Sequence, residues 1–321
     1  MSEQQAQPPQ TNSKPKKTQV KRIKRNINGV LLLDKPLGFS SNQALQKVKW
    51  LYQAAKAGHT GTLDPLATGV LPICLGEATK FAQYVTDADK TYIATIKLGI
   101  TTTTGDAEGD VLITKVVDVS AERFVATCQQ FLGEISQTPP MYSALKHEGK
   151  ALYEYARAGV EIERKSRLVT IQDIKINSFV ADVANITVTC SKGTYIRTLA
   201  EDIGAALGCG GHLIGLCRSE TAGYPLAQAY TLAQIEAMTM AQREAALLPV
   251  DTAIDTLPKV VLNADAVYYL MQGQAVWQAG KIPATDLRLY DERHQFLGLG
   301  YLQDDGKIAP KRLMKISELN Q

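Results

Sequence analysis

Gly58-His59-Thr60-Gly61-Thr62-Leu63-Asp64-Pro65-Leu66-Ala67-Thr68-Gly69-Val70-Leu71-Pro72 combines three glycines, two prolines, one histidine and a single acid. Gly58, Gly61 and Gly69 permit positive φ or close approach of other backbone, and the prolines fix φ, so the segment reads as a tightly folded loop. Pro65 also pushes Asp64 out of the helical region, toward an extended conformation. Asp64 is thereby held on an apolar loop, with His59 five residues away. Two readings of Asp64 follow from the residues alone. It is either a helix N-cap with Pro65 at the first helical position, or a rigidly placed catalytic acid.

Around this loop lies a chain of 321 residues, long enough for one large or two ordinary domains. Its 45% hydrophobic and 21% charged residues are those of a soluble globular protein. No apolar run approaches the roughly eighteen residues of a membrane span. The formal charge of +3 is unevenly spread. Residues 1–26 carry Lys14, Lys16, Lys17, Lys21, Arg22, Lys24 and Arg25 against Glu3 alone, which is +6 and leaves the remainder at −3. Any polyanion binding by the body must then come from local patches. The five cysteines, at 74, 128, 190, 209 and 217, form no CxxC pair and no metal-ligand spacing with the four histidines. An odd count without an apolar signal segment points to reduced thiols in the cytoplasm. Nothing in the chain demands a cofactor or a metal.

Residues 1–27 are rich in Gln, Pro, Lys and Thr and read as a disordered basic tail, either an electrostatic grip on RNA phosphates or a solvated extension. Gly29 to Leu33 is a short buried strand, ended by the turn Asp34-Lys35-Pro36-Leu37-Gly38. Ser40 or Ser41 caps a helix to about Ala57, with Leu45, Val48 and Leu51 on one face. Val70 to Leu75 is a second short strand, and Thr79 to Thr86 begins a helix. Lys90 to Gly99 alternates and is β-branched, which predicts a strand. Thr101 to Gly109 is a polar loop, and Ser120 caps a helix through Phe131. Thr138-Pro139-Pro140 breaks the chain before residues 141–167, where Tyr142, Tyr153 and Tyr155 alternate with six Lys and Arg residues. Cations interleaved with aromatics suit an RNA surface, and the interspersed glutamates suit an ordinary exposed helix equally. Ile171–Phe179 and Asn185–Cys190 are strand-like, and Thr198-Leu199-Ala200-Glu201 has capping-box spacing, opening a helix to Leu207-Gly208. Thr231 to Ala246 reads as one helix and Pro249 to Pro258 as a connector. From Lys259 onward, short runs between glycine turns suggest a small β-barrel. Arg197, next to a helix N-terminus, needs a carboxylate partner there, or else is a phosphate-binding or exposed arginine.

Three blocks, in order, carry a resemblance. They are Gly29-Val30-Leu31-Leu32-Leu33-Asp34-Lys35-Pro36 with Gly38-Phe39-Ser40-Ser41-Asn42, the loop from Gly58 to Gly69, and Ser191-Lys192-Gly193-Thr194-Tyr195-Ile196-Arg197-Thr198. With a further match through Met141 to Gly159, the chain resembles TruB-type tRNA pseudouridine synthases from about residue 28 to its C-terminus. The resemblance implies an α+β fold: a core with a mixed, mainly antiparallel sheet flanked by helices, plus a small C-terminal β-barrel. It implies a catalytic domain over 28–256, with a mobile RNA-binding thumb at 139–167. The tail from 257 to 321 looks like a PUA domain, best matched by Leu297-Gly298-Leu299-Gly300 and Ile308-Ala309-Pro310-Lys311-Arg312.

The implied reaction isomerises uridine 55 in the T-loop of tRNA. The bond from N1 of uracil to ribose C1′ is cut and the base is reattached through C5, so no electrons enter or leave. It needs one well-placed carboxylate, either attacking C1′ or removing a proton from C2′. The resemblance makes Asp64 that group, Arg197 its ion-pair partner and Tyr92 the stacking partner beneath the flipped uracil. Tyr195 and Leu216 match further pocket positions, His59 a residue filling the space that the base vacates, and Lys35 a turn beneath the active-site floor. Each also has a packing reading. The implied partner is the T-arm of tRNA, bound by a monomer with no obligate protein partner, no membrane and no cofactor. A noncatalytic RNA-binding or tRNA-folding protein would require no buried acid, and a guide-RNA-dependent pseudouridine synthase subunit would not need the long basic-aromatic segment. A glycoside hydrolase would require a second carboxylate, which the sequence does not offer.

Overall fold

The computed structural model describes residues 24–315, so the basic tail falls almost wholly outside the described residues. In chain order, β1 (Gly29–Lys35) leads to α1 (Ser41–Leu51), β2 (Ala57–His59), β3 (Ala67–Leu75), α2 (Ala82–Asp87) and β4 (Lys90–Leu98). A hairpin of β5 (Ile100–Thr102) and β6 (Val111–Thr114) precedes α3 (Ala121–Gln129) and β7 (Gly133–Gln137). The short β8 (Lys146–His147), β9 (Lys150–Ala151) and α4 (Leu152–Arg157) follow, then the long β10 (Arg167–Val180) and β11 (Val183–Cys190). The core closes with α5 (Ile196–Leu207), β12 (Gly211–Thr221), β13 (Tyr224–Pro225), β14 (Tyr230–Thr231), α6 (Leu232–Ala237) and α7 (Met240–Ala245). Beyond it lie β15 (Lys259–Val261), α8 (Ala264–Met271), β16 (Asp286–Tyr290), β17 (Phe296–Leu302) and β18 (Ile308–Leu313).

The main sheet has the order β14-β1-β3-β12-β4-β11-β10-β7, with β2 on β3 and β13 on β12. Only β1–β14 and β3–β12 pair in parallel, so the sheet is mixed and mainly antiparallel, as expected for the α+β class. β1 and β3 are covered on both faces, which explains their nearly unbroken apolar runs, whereas β4 and β11 alternate buried and partly exposed residues. Leu31 and Leu33 of β1 pack with α1 and α5, whereas Val30 and Leu32 face a second core with Phe81, Leu299 and Met314.

That second core joins the main sheet to the C-terminal one, whose order is β15-β16-β17-β18. The joint is polar as well. Tyr84 donates to Asp286 at 2.5 Å, Lys80 to the Leu313 carbonyl at 2.7 Å, and the Lys315 amide to Glu77 at 2.9 Å.

Several local expectations are corrected. The first helix is capped by a Ser40–Gln43 capping box but stops at Leu51, because Gln53 turns left-handed at φ 53° and Ala57–His59 pairs with β3 instead. Residues 76–87 divide into a 3-10 turn (Gly76–Lys80) and α2. The expected helix over 231–246 is two helices, since Thr-x-x-Gln occurs twice and both Thr231 and Thr239 form capping boxes. The connector at 249–258 contains a 3-10 turn (Val250–Ile254), and a helix, α8, interrupts the C-terminal strands. The Thr198–Glu201 capping box does not form. Helix α5 begins at Ile196 after an extended Tyr195, and the Thr198 hydroxyl is buried without a hydrogen-bond partner among the described residues.

Phe81 is fully buried in the joint, its ring edge-on to Phe296 at 5.4 Å between centroids. Phe81→Ala is expected to cost about 3–5 kcal/mol, the usual range for an aromatic cavity, read as a lowered midpoint in urea unfolding.

Candidate active site

Asp64 sits on the loop between β2 and β3, and that loop is tied down from three sides. The Thr60 amide donates to the Pro72 carbonyl at 3.1 Å, and the Gly38 amide to the Pro65 carbonyl at 2.8 Å. The Ser41 hydroxyl accepts from the Leu63 amide at 2.8 Å and donates to the Leu63 carbonyl at 3.0 Å. A strand, not a helix, follows Asp64, which removes the N-cap reading. Immediately beyond, Gly69 has φ +104°, and a Cβ there would lie 2.3 Å from the Arg218 carbonyl oxygen. Only glycine lets β3 run beside β12 at this point.

Arg197 is the second residue of α5, a position where a cation is disfavoured by the positive end of the helix. Both arms of its guanidinium are compensated. Nη2 lies 3.0 Å from Asp64 Oδ2 and donates to the Tyr142 carbonyl, while Nη1 lies 3.2 Å from Asp106 Oδ2 and donates to the Thr104 carbonyl at 3.0 Å. A planar fork held by two carboxylates and two carbonyls has no rotational freedom left. It therefore sets the orientation of Asp64.

Asp64 forms part of the wall of a cavity of about 750 Å³, which also includes His59, Tyr92, Tyr195, Arg197 and Leu216. Six of the seven residues singled out in the sequence are thus brought together. Lys35 is not among the lining residues. Fully buried, it donates to the Pro36 and Phe39 carbonyls at 3.0 and 2.5 Å and pins the turn before α1, close enough for its charge to act on Asp64. Register explains the gathering. Arg218 of β12 lies opposite Tyr92 of β4 on one side and Gly69 of β3 on the other, with Leu216 beside Ala67 and Ala94. A second cavity of about 420 Å³, at Leu32 and residues 227–230, has neither carboxylate nor cation in its lining.

The electrostatics of the site follow from its crowding. Asp64 is deep among protein atoms yet keeps 37% of its side-chain surface open toward the cavity. Burial raises its pKa and Asp106 adds to the rise, against the opposing pull of Arg197 and Lys35. The net direction is upward, so Arg197 limits the shift rather than reversing it. Burial raises the Tyr92 phenol too, opposed by Arg218, and keeps it protonated at neutral pH. Burial lowers His59, and Arg218 lowers it further, favouring the neutral ring. Lys35 is brought down to about 8, chiefly by burial.

Two residues of the site escaped the sequence. Asp106, 2% exposed, lay in a polar loop beside Glu108 and Asp110, where nothing local distinguished one acid from the others. It is a second carboxylate near Asp64, but its oxygens are taken up by Arg197, by Thr104 Oγ1 at 2.5 Å and by the Glu108 amide at 3.1 Å. It has no free surface for a sugar, as a glycoside hydrolase would require. Arg218, 1% exposed, donates to the Val70 carbonyl at 2.8 Å. Its only sequence signal was a charge two residues beyond Leu216 on the same strand face.

Comparison with known proteins gives this geometry its family. The TruB family pseudouridylate synthase N-terminal domain matches residues 49–196, a tRNA pseudouridylate synthase B C-terminal domain matches 197–255, and a pseudouridine synthase II TruB C-terminal domain matches 258–314. A protein named tRNA pseudouridine synthase B from Methylobacillus flagellatus is 59% identical over 92% of this chain and 98% of its own length. The chain belongs to the TruB family. Other TruB relatives with that name, from Nitrosospira multiformis and Pseudomonas aeruginosa, are 52% and 50% identical over 92% of this chain and 98% and 99% of theirs. Among solved structures, a chain of a Cbf5-Nop10-Gar1 complex superposes with a TM-score of 0.68 at 27% identity, covering 89% of this chain and 84% of that one.

The ionic coupling in this TruB site is testable without substrate. In a carbon-detected NMR titration, the Asp64 carboxyl is expected to titrate above the ordinary aspartate range. In Arg197→Met the opposing charge is gone and the midpoint moves higher still, while Arg197→Lys, which keeps a charge, moves it less. An unmoved midpoint in Arg197→Met would show that Arg197 does not govern the ionisation of Asp64.

Proposed function

We propose that this protein is a tRNA pseudouridine synthase that isomerises uridine 55 of the T-loop. The observation that carries the reading is the Asp64 carboxylate, gripped by Arg197 in the wall of a cavity that Tyr92 also lines. Identities of 50–59% to relatives named tRNA pseudouridine synthase B, against 27% to a chain of the Cbf5-Nop10-Gar1 complex, favour the stand-alone enzyme over a subunit of such a complex. A noncatalytic RNA-binding protein would have no use for a carboxylate held against its own desolvation.

The T-loop uridine leaves its stack and enters the cavity, with His59 filling the space it vacates. Tyr92 lies under the uracil, while Tyr195 and Leu216 close its sides. Asp64, ionised and oriented by Arg197, either attacks C1′ or takes the C2′ proton as the N1–C1′ bond breaks. The freed uracil turns, C5 bonds to C1′ as Asp64 leaves C1′ or returns its proton to C2′, the C5 proton leaves to a base and N1 is protonated. Atoms and electrons balance within the substrate, so the chemistry calls for no cofactor. Burial keeps the Tyr92 phenol protonated through the neutral range. Lys35 and Arg218 hold the floor, and their charges bear on Asp64 and on Tyr92 and His59 respectively.

Around this centre, residues 28–256 are the catalytic domain, 139–167 the thumb that closes on the RNA, and 257–321 a PUA-like RNA-binding domain. The cations of residues 14–25 add a salt-sensitive grip on phosphates. The protein works in the cytoplasm, as a monomer needing no protein partner. Among the described residues no helix is long and apolar enough to cross a membrane.

The test is conversion of an unmodified tRNA transcript, read by chemical labelling of pseudouridine. The native protein is expected to convert the T-loop uridine, and Asp64→Asn to bind the transcript while losing conversion by at least about three orders of magnitude. Because the carboxylate form is required, activity falls as pH drops through the raised pKa of Asp64. Absence of conversion by the native protein at stoichiometric enzyme would overturn the reading.

A further inference from the structure

One wall of the Asp64 cavity carries a hydroxyl that the reaction above does not use. Ser143 is 3% exposed and lines the cavity, and its Oγ has no hydrogen-bond partner among the described residues. Buried hydroxyls in folded proteins are nearly always paired, and an unpaired one is costly. The other cavity-lining residues with an unpaired buried atom are each partly engaged. The Arg167 guanidinium donates to the Gly193 carbonyl and stacks on Tyr195, Arg197 is held by Asp64 and Asp106, and His59 has a bond to the Gly61 backbone. At Ser143 the whole polar group is unused.

The backbone around Ser143 is nonetheless well fixed. Its amide donates to the Met141 carbonyl at 2.9 Å and its carbonyl accepts from the Tyr153 amide at 3.1 Å. The preceding carbonyl, of Tyr142, accepts from Arg197, whose same nitrogen meets Asp64 at 3.0 Å. In this arrangement of the thumb, those bonds place the hydroxyl near the reacting carboxylate, in the wall of the same cavity. Such placement wastes stability unless something enters the cavity to meet it.

We propose that Ser143 Oγ hydrogen-bonds the extruded nucleotide and is a substrate-positioning residue, an inference that rests on the reading of the protein as a tRNA pseudouridine synthase. A hydroxyl donates one hydrogen bond and accepts up to two. Uracil presents O2 and O4 as acceptors and N3–H as a donor. Turning the base so that C5 replaces N1 exchanges O2 with O4 in space. A hydroxyl that donates to one oxygen before the turn meets the other after it, and can hold the ring through both bond-making states. The ribose and phosphate of the same nucleotide offer acceptors of the same kind.

The experiment uses full-length wild type, Ser143→Ala and Ser143→Thr. It measures thermal unfolding, conversion of a T-arm RNA, and affinity for that RNA and for one with an abasic site at the target. Removing an unpaired hydroxyl leaves the Tm of Ser143→Ala no lower than wild type. Its kcat/KM is expected to fall by about three- to tenfold, the worth of one neutral hydrogen bond, with Ser143→Thr restoring most of it. A loss of affinity confined to the uridine-containing RNA assigns the contact to the base, and an equal loss on the abasic RNA assigns it to the sugar–phosphate. Conversion and affinity in Ser143→Ala equal to wild type overturn the proposal, as does a lowered Tm with no rescue by threonine, which would make the hydroxyl a structural group. Wild-type conversion separates the two claims: if it occurs and Ser143→Ala is indifferent, only the Ser143 proposal falls.

Discussion

Arg197 is a buried cation at the positive end of a helix, and its presence there is tolerable only because two carboxylates and two carbonyls surround it. The constraint runs outward from that point. Asp106 must be buried on a loop that returns to α5, and Asp64 must be presented by a loop that cannot swing. The Tyr142 carbonyl, from a quite different part of the chain, must arrive at the same nitrogen. Three segments distant in sequence are thus fixed against one guanidinium. Removing one partner would leave the others facing an unbalanced charge in a dry environment.

The rigidity of Asp64 has its own source. Between β2 and β3 the loop is bonded to Ser41, Gly38 and Pro72, and beyond it Gly69 allows β3 to lie against the backbone of β12. The parallel β3–β12 pairing within a mainly antiparallel sheet brings Arg218 between Gly69 and Tyr92. Burial of Asp64 raises its pKa, an ionisation cost that Arg197 and Lys35 oppose. The fixed cation beside it holds the carboxylate in one orientation at the cavity wall.

Much of the scaffold was legible because local periodicity and packing agree. The runs in β1 and β4, the Ser40 and Ser120 caps and the strands β10 and β11 all have local signatures that the tertiary structure respects. Errors arose where a local signal met a stronger distant one. The helix expected to reach Ala57 gave way to pairing of residues 57–59 with β3, and the apparent capping box at Thr198 lost to a helix start that lets Arg197 face Asp64.

What the sequence by itself determined is the loop that carries Asp64, the turn chemistry around it and the apolar strands that need covering on both faces, all consequences of short-range backbone preference and hydrophobicity. What only the tertiary structure decided is which charges meet. Asp106 among several loop acids, and Arg218 on a strand, have no local mark. Their selection depends on strand order and on the entry of Arg197 from α5, because electrostatic partners are chosen by distance and desolvation in space rather than by spacing along the chain.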